Sequence, residues 1–323
     1  MAQSKSKPVH KRGTRAGVRA FVLVLHLLLS GYLFAQGQPP TSRSARDEAS
    51  GLVSQGFESL QHHDAREAEA AFRRAIVAAP EMAEAHRGLG MALWSQGQEP
   101  AARRELELAV QFGPNSAAAH AELAAVLLKA GEPARARELL ERTVVLDPSD
   151  SVSRFQLAML LVEVGESRRA DELFQGILKA QPDQDSAREQ VGLSYLRRGD
   201  LDSAATEANT ILRKRPRSAE GHRLMALVLW HQRDTESALA ECAQALDAEP
   251  YSVPMMALQA VGLWKLQRKK DARAALLATY KVQPQIIKSE FFCHLIFCDE
   301  QDNSLVQDFL RRSRWVVMPP AAP

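Results

Sequence analysis

The residues that usually announce chemistry are scarce in this sequence. Only three cysteines occur in 323 residues, and aromatics make up 6%. There is no glycine-rich phosphate loop, no zinc-protease helix motif, no serine nucleophile elbow and no Cys-x-x-Cys, so the enzyme classes those motifs serve are not indicated. No catalytic residue, cofactor or metal site is expected. His62-His63 does not alter this, because adjacent residues on a helix point about 100° apart and no third ligand stands beside them. A clustered basic face is missing too, which argues against nucleic acid as a partner. Acidic residues are absent before Asp47, whereas Lys5, Lys7, Lys11, Arg12, Arg15 and Arg19 precede it.

The chain is rich instead in a pattern. Prolines recur every 34 residues at Pro80, Pro114, Pro148, Pro182, Pro216, Pro250 and Pro284. Twelve places before each stands an alanine: Ala68, Ala102, Ala136, Ala170, Ala204, Ala238 and Ala272. Twenty-four places before each lie Gly56, Gly90, Ala124, Ala158, Gly192, Ala226 and Ala260. Paired helices approach to about 8–10 Å only if the residues at their crossing carry little side chain. The stretch from Ala117 to Pro148 shows the unit: helix formers with Leu123 and Leu127 on one face, a stop at Gly131, a second helix opened by Pro133, and an end before Pro148. A pair this short cannot bury its own apolar face, so copies must lie alongside it.

Period and positions resemble the tetratricopeptide repeat family. Leu89-Gly90 carries its paired signature, and Ala68 with Phe72 and Ala170 with Phe174 carry its alanine followed four later by phenylalanine. The tryptophan expected near each repeat's start is replaced by Leu52, His86, His120, Arg154, Arg188, His222 and Met256. The histidines are read as planar fillers of that position rather than as a ladder of ligands. The resemblance implies an all-α, right-handed solenoid of about seven helix pairs over residues 49–286, closed by a degenerate eighth repeat or capping helices over 287–318 and a short tail over 319–323.

Residues 1–35 read as a targeting segment, a basic leader followed by the apolar run Ala20 to Ala35, short of the ~20 residues of a spanning helix. It reads as a cleaved signal peptide, an uncleaved membrane anchor, or else an organellar presequence or no export signal; under the first two the repeats lie outside the cytoplasm, periplasmic or secreted. Residues 36–48 form a polar tether. The formal charge of the whole chain is +2, so with the six basic leader residues set aside the remainder is about −4.

Binding is expected on the first helices, along the inner curve that the family resemblance implies. Their middle position carries Phe57, Met91, Ala125, Met159, Leu193, Leu227 and Val261, and three places on come Leu60, Trp94, Leu128, Val162, Leu196, Trp230 and Trp264. A polar rim follows in Gln61, Ser95, Lys129, Glu163, Arg197, His231 and Lys265. Aromatic and methionine anchors beside charges suit a peptide or helix groove. The candidates are Phe57, Met91, Trp94, Lys129, Phe155, Met159, Arg197, Trp230, Trp264 and Lys265, with packing between neighbouring first helices as the competing role. No asparagine falls in a first helix, so the clamp that some family members use for carboxyl tails is not supported. The expected function is an exported, non-enzymatic scaffold with a protein or peptide partner. The alternative is an accessory subunit of a cell-envelope enzyme or assembly complex, tethered by an uncleaved anchor and self-associating through its C-terminal unit. Cys242 is expected to be buried. Cys293 and Cys298, five apart, suit a disulfide only if their helix breaks. A last amphipathic helix is expected over Asn303 to Arg314, with Leu305, Val306, Phe309 and Leu310 inward.

Overall fold

The computed structural model describes residues 42–317; the leader and residues 36–41 of the tether lie outside them. Those residues are helical, without strands. Helices pair in sequence: α1 (Ser42–Gln61) with α2 (Ala65–Ala78), and α3 (Ala83–Ser95) with α4 (Glu99–Phe112). Then come α5 (Ala117–Lys129), α6 (Pro133–Leu146), α7 (Ser151–Glu163), α8 (Ser167–Ala180), α9 (Asp185–Arg197) and α10 (Leu201–Lys214). The regular pairs end with α11 (Ala219–His231), α12 (Thr235–Ala248), α13 (Val253–Lys265) and α14 (Lys269–Val282). A 3-10 turn over Pro284–Ile287 leads to α15 (Ser289–Ile296) and α16 (Glu300–Val317). The chain forms two compact units, one up to Val126 and one from Leu127.

Each second helix ends two residues before its proline, where the backbone turns extended: Asp147 has φ −129° and ψ 89°. The alanines twelve places before the prolines are buried to within 1% of complete. At the other small position the spacing leaves no choice in places, since a Cβ on Gly192 would stand 2.2 Å from the Leu224 side chain of the next first helix. Two boundaries differ from expectation. Helix α1 starts at Ser42, inside the expected tether, because no proline or glycine falls between Thr41 and Gly51 and Ala49 is already buried. Helix α16 starts at Glu300 and continues through Val317, past the expected stop at Arg314.

The turn inside each pair needs a left-handed residue, and glycine supplies it at Gly97, Gly131, Gly165 and Gly199, with φ between 75° and 81°. The same register holds His63, Arg233 and Gln267, with φ 61°, 69° and 62°. A residue with a Cβ gives up roughly 1–2 kcal/mol there, part of which glycine returns as backbone entropy. Gln267→Gly is therefore expected to raise stability by about 0.5–1 kcal/mol, read as a higher midpoint in urea, with Gly165→Ala moving it the other way.

At three repeats the position where the family resemblance places tryptophan is filled by a polar strut. His86 joins Glu105 Oε2 through Nδ1 (2.7 Å) and the Pro80 carbonyl through Nε2 (2.8 Å). His222 does the same with Glu241 (2.6 Å) and Pro216 (2.9 Å). Arg188 reaches the matching pair, donating to Glu207 (2.7 Å) and to the Pro182 carbonyl (2.8 Å). The strut ties the end of one repeat to the second helix of the next. His86→Arg should preserve both contacts, whereas His86→Leu leaves two oxygens unpaired at about 1–3 kcal/mol; thermal melts of the two variants would show it.

Candidate functional site

In the unit ending at Val126, Phe57 and Met91 sit half-buried on neighbouring first helices. Phe57 meets Phe72 edge-on, with ring centroids 5.0 Å apart, and the Arg87 guanidinium stands 4.7 Å from the Phe57 ring. Arg87 also donates to Glu122 Oε1 (2.7 Å). Burial raises the Glu122 carboxyl above the usual carboxylate range, against the pull of Arg87. Trp94 is half-buried. Phe57, Arg87 and Glu122 make a packed face in which the apolar ring carries a paired cation.

The unit beginning at Leu127 holds a recess of about 520 Å³ on its first helices. Met159 and Val162 of α7, Leu193 and Arg197 of α9, and Leu227 of α11 line it, with Leu295 and Phe297 at one end. Arg197 and Glu163 occupy the same repeat position at the rim, and neither has a hydrogen-bonded carboxylate or cation partner among the described residues. Arg197 stacks over the Phe297 ring at 5.6 Å. The floor carries a paired charge: Arg223 donates from Nε and Nη2 to the two oxygens of Glu189, both at 2.9 Å. Glu189 is buried, and desolvation pushes its carboxyl up against the Arg223 interaction. Arg223 pairs with Glu249 as well, so its cation is fully engaged and the cluster ties α9 to α11.

Of the candidates named from sequence, Met159 and Arg197 meet in this recess. Phe155 turns to Phe174 of its own pair, ring centroids 5.4 Å apart, and Lys129 does not line the recess. Trp230 and Trp264 require correction. They are 0% and 5% exposed, and the C-terminal helices cover the face on which an open patch was expected. The Trp230 indole donates to Asp302 Oδ2 (3.0 Å), and Trp264 packs on Phe309 with centroids 5.2 Å apart. Lys265 lies 4.6 Å from the Trp230 ring, and burial lowers its pKa.

Asp302, 1% exposed, is the anchor of this cover. Besides Trp230 it accepts from Arg233 (2.6 Å), which also pairs with Asp299, and its own N–H donates to Asp299 (2.8 Å). Phe292, Ile296, Val306 and Phe309 are fully buried beneath. Sequence reading missed Glu189, Arg223, Leu295 and Phe297. The first two carried a signal, since opposite charges exactly one repeat apart share a helix face; the last two carried none, because their place depends on where the final helices fold back.

The sequence matches the tetratricopeptide repeat model over residues 58–117, 127–194 and 190–253, more than half of the chain. The chain belongs to the tetratricopeptide repeat family. Proteins of this family generally serve as scaffolds for protein–protein interaction. Among solved structures, PilF of Pseudomonas aeruginosa is similar with a TM-score of 0.54 and 19% identity, over 64% of this chain and 94% of that one. A tetratricopeptide repeat protein from Parabacteroides merdae is similar with a TM-score of 0.60 and 13% identity, over 82% and 99%. At such identities the likeness shows the fold alone. No curated protein matches the sequence significantly.

The C-terminal cover of this repeat protein is expected to respond to acid. Burial lowers the pKa of His231, opposed by Asp302 and Asp299, and Arg233 adds to the lowering. The backbone N–H of Asp302 and the Arg233 charge lower the pKa of Asp299. A base depressed in the fold binds fewer protons than in the unfolded chain, so its contribution is present above its ordinary pKa near 6.5 and is lost as pH falls through its folded value. Asp299 acts in the same direction at lower pH. The stability contributed by this cover should therefore decline as pH falls below about 6.5, read as the difference between wild type and His231→Gln in urea titrations.

Proposed function

We propose that this chain is an exported, non-enzymatic scaffold that binds a peptide or helical segment in the recess on α7, α9 and α11. The partner segment carries apolar side chains for Met159, Leu193 and Leu227, and an acidic residue for Arg197. The observation that carries the reading is the recess itself: about 520 Å³, apolar side chains around one ion-paired floor, with an arginine at its rim that makes no hydrogen-bonded ion pair among the described residues and feels Asp171 only electrostatically. A buried charge-assisted contact at such a rim fixes orientation, while the apolar side chains supply most of the affinity. Export is supported by the basic leader and the apolar run that follows it. No helix among the described residues is long and apolar enough to cross a membrane.

The accessory-subunit alternative turns on whether the leader stays attached, which the N-terminal residue of protein from the membrane fraction decides. The groove is tested by selecting peptides from a random display library on the immobilised chain. Selected peptides are expected to share an acidic residue next to two or more apolar ones. Arg197→Glu and Met159→Glu should each weaken them at least tenfold, about 1.4 kcal/mol, with melting unchanged. Equal binding to wild type and both variants would move the site elsewhere.

A further inference from the structure

The cysteine pair at the end of the recess has no part in that binding reading, yet it sits where it could govern it. Cys293 lies on α15 and Cys298 just beyond it, and their sulfurs are bridged across a Cα–Cα distance of 4.8 Å. Five residues apart on a continuous helix, the two side chains would diverge by about 140°. The bridge therefore needs the helix to break between them. It breaks at Phe297, whose φ of 54° and ψ of 49° are left-handed. The Cys298 N–H then folds back on the Cys293 carbonyl at 3.1 Å. A bulky aromatic residue is unfavourable in that region and stays there only where its surroundings over-determine it.

Phe297 is also the residue that reaches the recess. Its ring lies 5.6 Å under the Arg197 guanidinium and lines the recess beside Leu295. On either side the chain is pinned. Phe292 and Ile296 are fully buried, and Asp299 and Asp302 are held by Arg233 and Trp230. A conformational change released at the bridge is thereby confined to Phe297 and Cys298, between those anchors, and Phe297 is the part that touches the recess. Both cysteines are partly exposed, unlike Cys242, which is fully buried with its thiol pushed up to about 12 by desolvation.

We propose that Cys293–Cys298 is a thiol–disulfide exchange site whose co-substrate is a dithiol reductant, and that its redox state sets whether Phe297 occupies the Arg197 end of the recess. A thiolate of the dithiol attacks one bridge sulfur, forming a mixed disulfide and releasing the other cysteine as a thiolate that takes a proton from water. The second thiol of the reductant then displaces the first cysteine. The protein gains two thiols, and the reductant leaves as a disulfide with two electrons fewer. Without the cross-link, Phe297 returns to an ordinary backbone conformation, its ring leaves Arg197, and the guanidinium is free for an acidic group. The bridged form is closed at that end and the dithiol form open.

The proposal rests on the binding reading only for what the opening admits, so the test reads the switch and the recess separately. The full chain is held oxidised or in dithiothreitol, with free thiols titrated and amide hydrogen exchange measured by segment. Two thiols should appear without unfolding, and exchange at Phe297 and Cys298 should rise at least tenfold while α16 stays protected. The double variant Cys293→Ser, Cys298→Ser should match the reduced form in either buffer. Thiols that appear with no change in exchange, or only when the whole chain unfolds, would make the bridge a static staple and overturn the switch. The recess is probed with 1-anilinonaphthalene-8-sulfonate, an apolar anion. Reduction should raise its binding at least threefold, and Met159→Glu should abolish the gain. A gain in exchange with no gain in dye binding would overturn the gating of the recess and leave the exchange site standing. Dye binding that ignores Met159→Glu in both states would refute the recess while the exchange data still judge the switch.

Discussion

Close approach between helices is the constraint on which the rest depends. Each pair meets through alanine or glycine, as at Ala136 and at Gly90, where an added carbon would stand 2.6 Å from Leu106, and neighbouring first helices meet as closely at Gly192, 2.2 Å from Leu224. Side chains at a crossing that tight cannot adjust by changing rotamer, because there are no rotamers to change. The geometry of one pair is thus copied into the next with little variation, and side chains 34 residues apart land on equivalent surfaces. Leucine, phenylalanine and isoleucine around the crossings supply the apolar burial; the small residues decide where it can happen.

That repetition is why so much was legible in the sequence. Prolines marked where second helices end, because proline disfavours helical backbone in the residue before it, and Asp147 shows the result. Small residues marked the crossings for the same local reason. Legibility failed where position depends on chain from far away. The repeat register placed Trp230 and Trp264 on the face of the first helices, and it cannot register that residues some seventy positions later fold back over that face, as the Trp230 bond to Asp302 requires. The disulfide was left conditional on a break in its helix, and the break comes at Phe297, whose place depends on how the final helices fold back rather than on local sequence.

The departures from the family's tryptophan position follow a physical rule of their own. A tryptophan there would fill volume with apolar surface. His86, Arg188 and His222 fill less of it, but each reaches a glutamate on the following helix and the carbonyl of the preceding proline. Packing area is exchanged for directed hydrogen bonds, which have a narrower optimum in distance and angle than dispersion contacts do. Arginine and histidine both serve because each offers two nitrogens from a planar group, spaced to meet both oxygens. At these three repeats the position supplies a directed link between consecutive repeats, and two chemistries achieve it.

The same logic bears on the cover made by α15 and α16. Burying an aromatic side chain removes roughly 150–250 Å² from water, which at about 25 cal/mol per Å² is several kcal/mol as an upper bound. Trp230, Trp264, Phe292 and Phe309 all contribute to the seating of these helices. Wholesale detachment would lose that burial and leave Asp302 and Arg233 without their partners. A modest perturbation therefore cannot lift the cover, but it can move the half-buried residues at its edge, where Phe297 and Leu295 meet the recess. Control over access to the recess has to act at that edge. The left-handed backbone at Phe297, bracketed by the bridged cysteines, is the point on it where a change of covalent state is converted most directly into a change of side-chain position.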